Sequence, residues 1–291
     1  MALENLVVTL KFVLYIEFTL NMNKILYKIL VFLPCLLVLC SSCTDDSDRP
    51  WYQDVEALES CYLAAVRDAE EALPQEICRT LPAIVSPDSL DDLRQQWMVS
   101  ADGKAFVLVG SMMSSAEAEG YPAPSDELFT MDGRMPWVTL PYNLADHLLE
   151  RLPVCSDSLE CRMRLVQLLG LPPACDYDCI TFFYAEADGL FRPTPDNETT
   201  DHEAELDFPA SATPDYRKWF EDNKQFSYFS DTPYPWTRLG YTYDWHSGTS
   251  SHVGPGEFII REGATVRVAA KTGIWSWYRE ISRKANRQPG I

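Results

Sequence analysis

The apolar run from Ile29 to Leu39 decides how much of this 291-residue chain is available to fold. It follows the charged stretch Met22-Asn-Lys-Ile-Leu-Tyr-Lys28 and leads into Cys40-Ser41-Ser42-Cys43. A charged opening, an apolar middle and small residues before a cleavage point make a targeting segment that is removed rather than built into a core. The run falls short of the roughly 20 apolar residues that a helix needs to cross a bilayer. Residues 1–42 are therefore set aside as a signal region. Met22 reads as the true start, because residues 1–21 precede a complete signal and carry Lys11 and Glu17. An acidic tether is expected over 43–50 and a single globular domain over 51–285.

Cys43, with Ser41 and Ser42 before it, resembles the lipidated cysteine of bacterial lipoproteins. Thr44-Asp-Asp-Ser-Asp48 is similar to the acidic stretch that follows this cysteine in surface-exported lipoproteins. The resemblance implies a membrane partner, reached through a lipid anchor at Cys43. It places the domain in the cell envelope, on the outer membrane and displayed at the surface.

Past Cys43 stand Cys61, Cys78, Cys155, Cys161, Cys175 and Cys179. An even count in an exported chain implies disulfides. Near neighbours close small loops readily, which suggests Cys61 with Cys78, Cys155 with Cys161, and Cys175 with Cys179. With 43 Asp and Glu against 24 Lys and Arg, the net charge of −19 repels phosphate backbones and excludes nucleic acid as a partner.

Apolar positions at helical spacing predict a helix over Asp54–Leu73, stopped by Pro74. A short helix is expected from Ser86, with Leu90, Leu93 and Trp97 on one face. Trp97–Ala101 and Lys104–Gly110 flank Asp102-Gly103, the signature of a tight hairpin. Residues 113–136 are rich in Ser, Ala, Glu, Pro and Gly and read as a long loop. Helices are expected near 143–151 and 157–169 and from Pro214, and strands at 137–140 and 180–185. Leu239, Tyr241, Tyr243 and Trp245 alternate, which predicts a strand with those rings buried and Arg238, Thr242 and Asp244 on a solvated face where a ligand would be sought. Glu257–Arg261 and Thr265–Ala270, joined by Glu262-Gly263, read as a terminal hairpin. Helices interspersed with strands make an α+β domain, with mixed α/β as the alternative.

Trp137-Val-Thr139, Leu168-Leu-Gly-Leu-Pro-Pro173, Leu190-Phe-Arg-Pro193, the segment Tyr234–Trp245 and Glu257-Phe-Ile-Ile260 resemble an uncharacterised family of bacterial lipoproteins, across Trp137 to Val268. The family implies no activity. The closing segment Glu257–Val268 also resembles the last hairpin of ADP-ribosyltransferases. That likeness implies a catalytic Glu257 stabilising a cationic sugar, Arg192 holding the phosphates of NAD, and no other cofactor. Asp244, His246 and His252 are ligand types that suit a divalent ion, but no regular spacing converges them, so no metal site is assigned. The aromatics between Tyr216 and Trp245 suit a binding role toward a protein or glycan. The functional expectation is an envelope binding module, with the ADP-ribosyltransferase-like enzyme as the alternative. Because the thiol is the attachment atom, Cys43→Ala is expected to abolish lipid labelling and release the domain into the soluble fraction; continued labelling would show another anchor.

Overall fold

The computed structural model describes residues 49–88, 93–152 and 154–287. Cys43, the signal region, most of the tether and Leu90 lie outside them. The residues from Tyr52 onward form one compact unit of α+β class. Among the described residues, no helix is long and apolar enough to cross a membrane.

Helix α1 (Val55–Ala69) starts where the Asp54 carboxylate accepts from the Ala57 N–H, and buries Leu58, Tyr62, Ala65, Val66 and Ala69 at helical spacing. The Asp-Gly hairpin forms, β1 (Trp97–Val99) pairing antiparallel with β2 (Ala105–Met113), Trp97 opposite Val107, but with Gly103 and not Asp102 at positive φ its turn is not the type I′ turn that Asp-Gly favours. Trp97 therefore opens a strand and does not belong to a helix face.

The stretch expected as a loop holds α2 (Ser115–Glu119) and β3 (Phe129–Thr130), and it buries Tyr121 and Met131. A capping box between Ser114 and Glu117 nucleates that short helix, which composition alone does not reveal. Then come β4 (Trp137–Thr139), α3 (Pro141–Arg151), α4 (Ser158–Leu168), β5 (Cys179–Glu186), β6 (Leu190–Phe191) and α5 (Pro214–Phe229). The chain ends in β7 (Tyr241–Tyr243), β8 (Val253–Ile260), β9 (Thr265–Gly273) and α6 (Ile274–Arg287). Sequence reading passed over α6, although Ile274, Trp277 and Tyr278 are buried at helical spacing.

The strands form one antiparallel sheet in the order β3-β9-β5-β2-β4-β8-β6, with β1 on β2 and β7 on β8. This corrects the expected terminal hairpin. One edge of β8 is taken by β4 and the other by β6 and β7, so β9 cannot pair with it. Glu262-Gly263 does turn, with Gly263 at φ +81°, but the turn joins strands that are not neighbours. Laid flat, β8 and β9 would stand about 19 Å apart, four strand spacings. Residues 261–264 fold into a turn, Ala264 N–H donating to Arg261 at 3.1 Å, and cannot cross that distance. The sheet therefore curls until its ends meet. Its inner face packs Val107 and Val109, Val138, Phe183 and Ala185, Phe258 and Ile260, and Val266 and Val268 into one core drawn from five strands.

On the outer face, α5 lays Tyr216, Phe220 and Tyr228 against Phe191, Trp236 and Ile259. The segment Leu239–Trp245 is only in part a strand, and both of its faces are covered. Thr242 donates to the Leu168 carbonyl at 2.7 Å. Asp244, expected in water, is 2% exposed and accepts from Arg164 Nη1 at 2.9 Å and Nη2 at 2.6 Å. Arg151 also pairs with it. Arg238 donates to the Glu70 carbonyl. The supposed ligand-facing side of the strand is thus a buried polar joint.

All six cysteines of the domain are separate thiols, so the three local disulfides are not formed in this structure. Cys78 meets Thr80 and Cys179 donates to the Met113 carbonyl, because the chain draws each toward its own surroundings. Cys155 and Cys161 are both buried.

Removing one partner of a buried ion pair leaves an uncompensated charge, here two guanidiniums with Arg164 2% exposed. Asp244→Ala is expected to cost about 3–5 kcal/mol in urea unfolding. A loss below about 1 kcal/mol would place this joint at the level of a surface pair.

Candidate functional site

Antiparallel register sets Thr139 opposite Glu257 and Trp137 opposite Ile259, so these four side chains share the outer face of the sheet. Phe258 and Ile260 point the other way, into the core. Gly110 is opposite Thr139 on one side and Phe182 on the other. A Cβ at Gly110 would lie 3.0 Å from the Phe182 ring, so glycine both admits that ring and leaves space beside Thr139.

Over this patch lies a cavity of about 740 Å³. Gly110, Met112, Trp137, Thr139 and Glu257 supply lining from the sheet. Asn223, Phe226 and Ser227 of α5 line it too, with Tyr234–Trp236, Leu169–Leu171, Tyr177, and the segment running from Ala116 to Tyr121. Thr213 caps α5 and Pro214 opens its first turn, which fixes where that wall starts. Trp236 is held edge-on to Trp137, ring centroids 5.9 Å apart, and its carbonyl accepts from the Tyr228 hydroxyl at 2.5 Å.

Glu257 is 5% exposed, and its Oε1 has no hydrogen-bond partner. Burial pushes its carboxyl well above the usual carboxylate range, and the Trp236 indole beside it pulls more weakly the other way. Three more buried atoms of this lining lack partners: Thr139 Oγ1, Trp236 Nε1 and Asn223 Nδ2. Folded proteins pair nearly all such groups, and four unpaired ones share the lining of this cavity. The charged groups nearer the opening are already engaged. Glu117 accepts from the Ser114 N–H at 3.0 Å, and Arg134 stacks over Tyr121 at 4.5 Å while donating to the Gly120 carbonyl. Burial also pushes the Tyr177 phenol up to about 12.

Of the residues singled out from sequence, Glu257 lies on this cavity and Arg192 does not. Arg192 is wholly buried and donates to Asp201 Oδ1 at 2.6 Å and to the carbonyls of Glu203, Pro82 and Asp201. It ties the 192–205 segment to the 81–84 segment. Thr139 and Asn223 carry no functional signal of their own in the sequence, whereas Trp236 is among the aromatics that suit a binding role, and it lies on this cavity.

Among the described residues, Asp68, Glu76 and His252, and separately Asp196, Asp201 and Glu205, bring ligand atoms within 4.8 Å of one another. Asp68 accepts from Tyr243, Glu76 from the Leu73 N–H, and Asp201 from Arg192, so each set is already partly satisfied. Asp244 is committed to Arg151 and Arg164 and does not join His246 and His252 as a ligand set.

Comparison of the chain with protein-family models, with curated proteins and with solved structures finds no match.

A neutral carboxyl is what burial favours, so folded Glu257 keeps its proton at pH values where the unfolded chain, near 4.3, has released it. Below that value the group carries no penalty. As pH rises toward the raised folded value, stability falls by up to about 1.4 kcal/mol per unit. Glu257→Gln is therefore expected to match the wild type at pH 4 and exceed it at pH 8 in urea unfolding. The same difference at both pH values would mean that the carboxyl is not held protonated.

Proposed function

We propose that the chain is an envelope binding protein, anchored through lipid at Cys43, that holds a small and largely apolar organic molecule in the cavity beneath α5. The observation that carries this reading is Glu257: a buried carboxyl with an unpartnered oxygen, placed by strand register on the lining of a concave, aromatic cavity. Ligand sites of small molecules have this form, mostly apolar walls with a few convergent polar groups, and the volume of about 740 Å³ falls within their usual range. A strand carboxyl facing a cavity also favours a second reading, the ADP-ribosyltransferase-like enzyme. That reading needs Arg192 for the phosphates of NAD, and here the guanidinium is bonded to Asp201 and backbone carbonyls instead. Binding is accordingly preferred over catalysis.

The test is saturable binding of Nile red, an uncharged apolar dye, followed by its fluorescence. Asn223→Trp places a large ring in the cavity and removes an amide nitrogen that makes no hydrogen bond, so the fold should survive. The expected result is binding to the wild type and at least about tenfold weaker binding to the variant, with melting temperatures within a few degrees. Equal binding to both proteins, or none to the wild type, would overturn the reading.

A further inference from the structure

Resting on the reading of the cavity as a binding site, we infer that its ligand is a cation, an organic amine with an apolar body whose ammonium group pairs with Glu257. Among the described residues no basic side chain pairs with this carboxyl: none of the ion pairs includes it, and the group beside it is the uncharged Trp236 indole. Arg134, the basic residue of the lining, is exposed and lies over Tyr121. Asp244 shows how this chain stabilises a buried acid of its own, with two guanidiniums. Glu257 has none, so its ionised form can be matched only by a positive charge that arrives with the ligand.

The walls agree with that sign. Tyr121, Trp137, Tyr177, Phe226, Tyr234 and Trp236 line the cavity, and aromatic faces are negative and attract ammonium groups. A neutral alcohol would gain little from such rings beyond its apolar area. An anion would meet the ring faces unfavourably, and the carboxylate as well once Glu257 has lost its proton. At longer range the net charge of −19 raises the local concentration of cations. When the amine enters as its ammonium form, Glu257 releases its proton to solvent, and the carboxylate and ammonium remain as a pair.

Three probes with similar bodies separate the possibilities: 2-phenylethylamine, 2-phenylethanol and 3-phenylpropanoate, titrated by calorimetry into the intact protein at pH 6 and pH 8. The amine is expected to bind at least about tenfold more tightly than the alcohol and the acid, as a charge-assisted bond allows. Its affinity should rise with pH, by up to about tenfold per unit while the carboxyl stays protonated in the free protein, with heats in different buffers reporting one proton released. The other titratable groups facing the cavity are Glu117 from α2, Arg134, Tyr121, Tyr177, Tyr234 and Tyr243. Burial moves Tyr177, Tyr234 and Tyr243 upward, away from this window. Glu257→Gln isolates the carboxyl: amine affinity should fall about 30-fold and alcohol affinity should change by less than about twofold.

Alcohol binding as tight as amine binding, or amine binding indifferent to Glu257→Gln, would overturn the cationic assignment while leaving the cavity a binding site. Absence of Nile red binding to the wild type would overturn the binding reading itself, whereas Nile red binding without amine binding would overturn the cationic assignment alone.

Discussion

Strand β8 is hydrogen-bonded along both edges, to β4 on one side and to β6 and β7 on the other, and the rest of the molecule follows from that. With no free edge beside it, β9 must find β5 instead, and a turn of four residues between them then forces the sheet to curl. Curling gives β8 two unlike faces. Phe258 and Ile260 enter a core closed by five strands, and Glu257 and Ile259 are turned out under α5. A carboxyl is tolerated in the middle of an apolar strand because the pleat sends it to the side where the covering helix leaves a cavity.

Asp244 and Glu257 are both almost fully buried acids on adjoining segments, and the protein treats them in opposite ways. Asp244 receives two guanidiniums and a backbone N–H from His246, which makes it a joint between α3, α4 and the β7–β8 connection. Glu257 has only the Trp236 indole beside it, whose Nε1 is itself unpartnered, and one of its oxygens has no partner. A buried ionised carboxylate without compensation is costly, so the neutral form is the one that burial favours. The same residue chemistry thus serves cohesion at one position and leaves an unpaired carboxyl oxygen beside a cavity at the other. The difference lies in what α3, α4 and α5 bring to each.

Some local signals were legible and others, such as the capping box of α2 and the helical spacing of α6, were not. The Asp-Gly hairpin, the helix opening at Pro214 and the apolar run of β5 form where their residues point. Glu257 was picked out, but through a likeness to a hairpin that does not exist here. Its partner in that likeness, Arg192, instead cements two loop segments. Thr139, Trp236 and Asn223 could not have been gathered with it, since they sit on β4, on the loop after α5 and on α5, brought together by register and helix packing. Likewise, the even count of cysteines says nothing of the separate surroundings in which Cys78 and Cys179 come to rest.

The sequence by itself determined the α+β class and the positions of the turns and most helices, and it supplied an uncharged-looking strand with one acid in it. These depend on periodicity, capping and backbone stereochemistry, which act over a few residues. Only the tertiary structure decided that β8 and β9 part company, that Asp244 is a buried joint, and that Glu257 faces a cavity. Strand pairing and burial are settled by competition for edges and for apolar area among segments far apart in the chain, and no short stretch of chain records which of them wins.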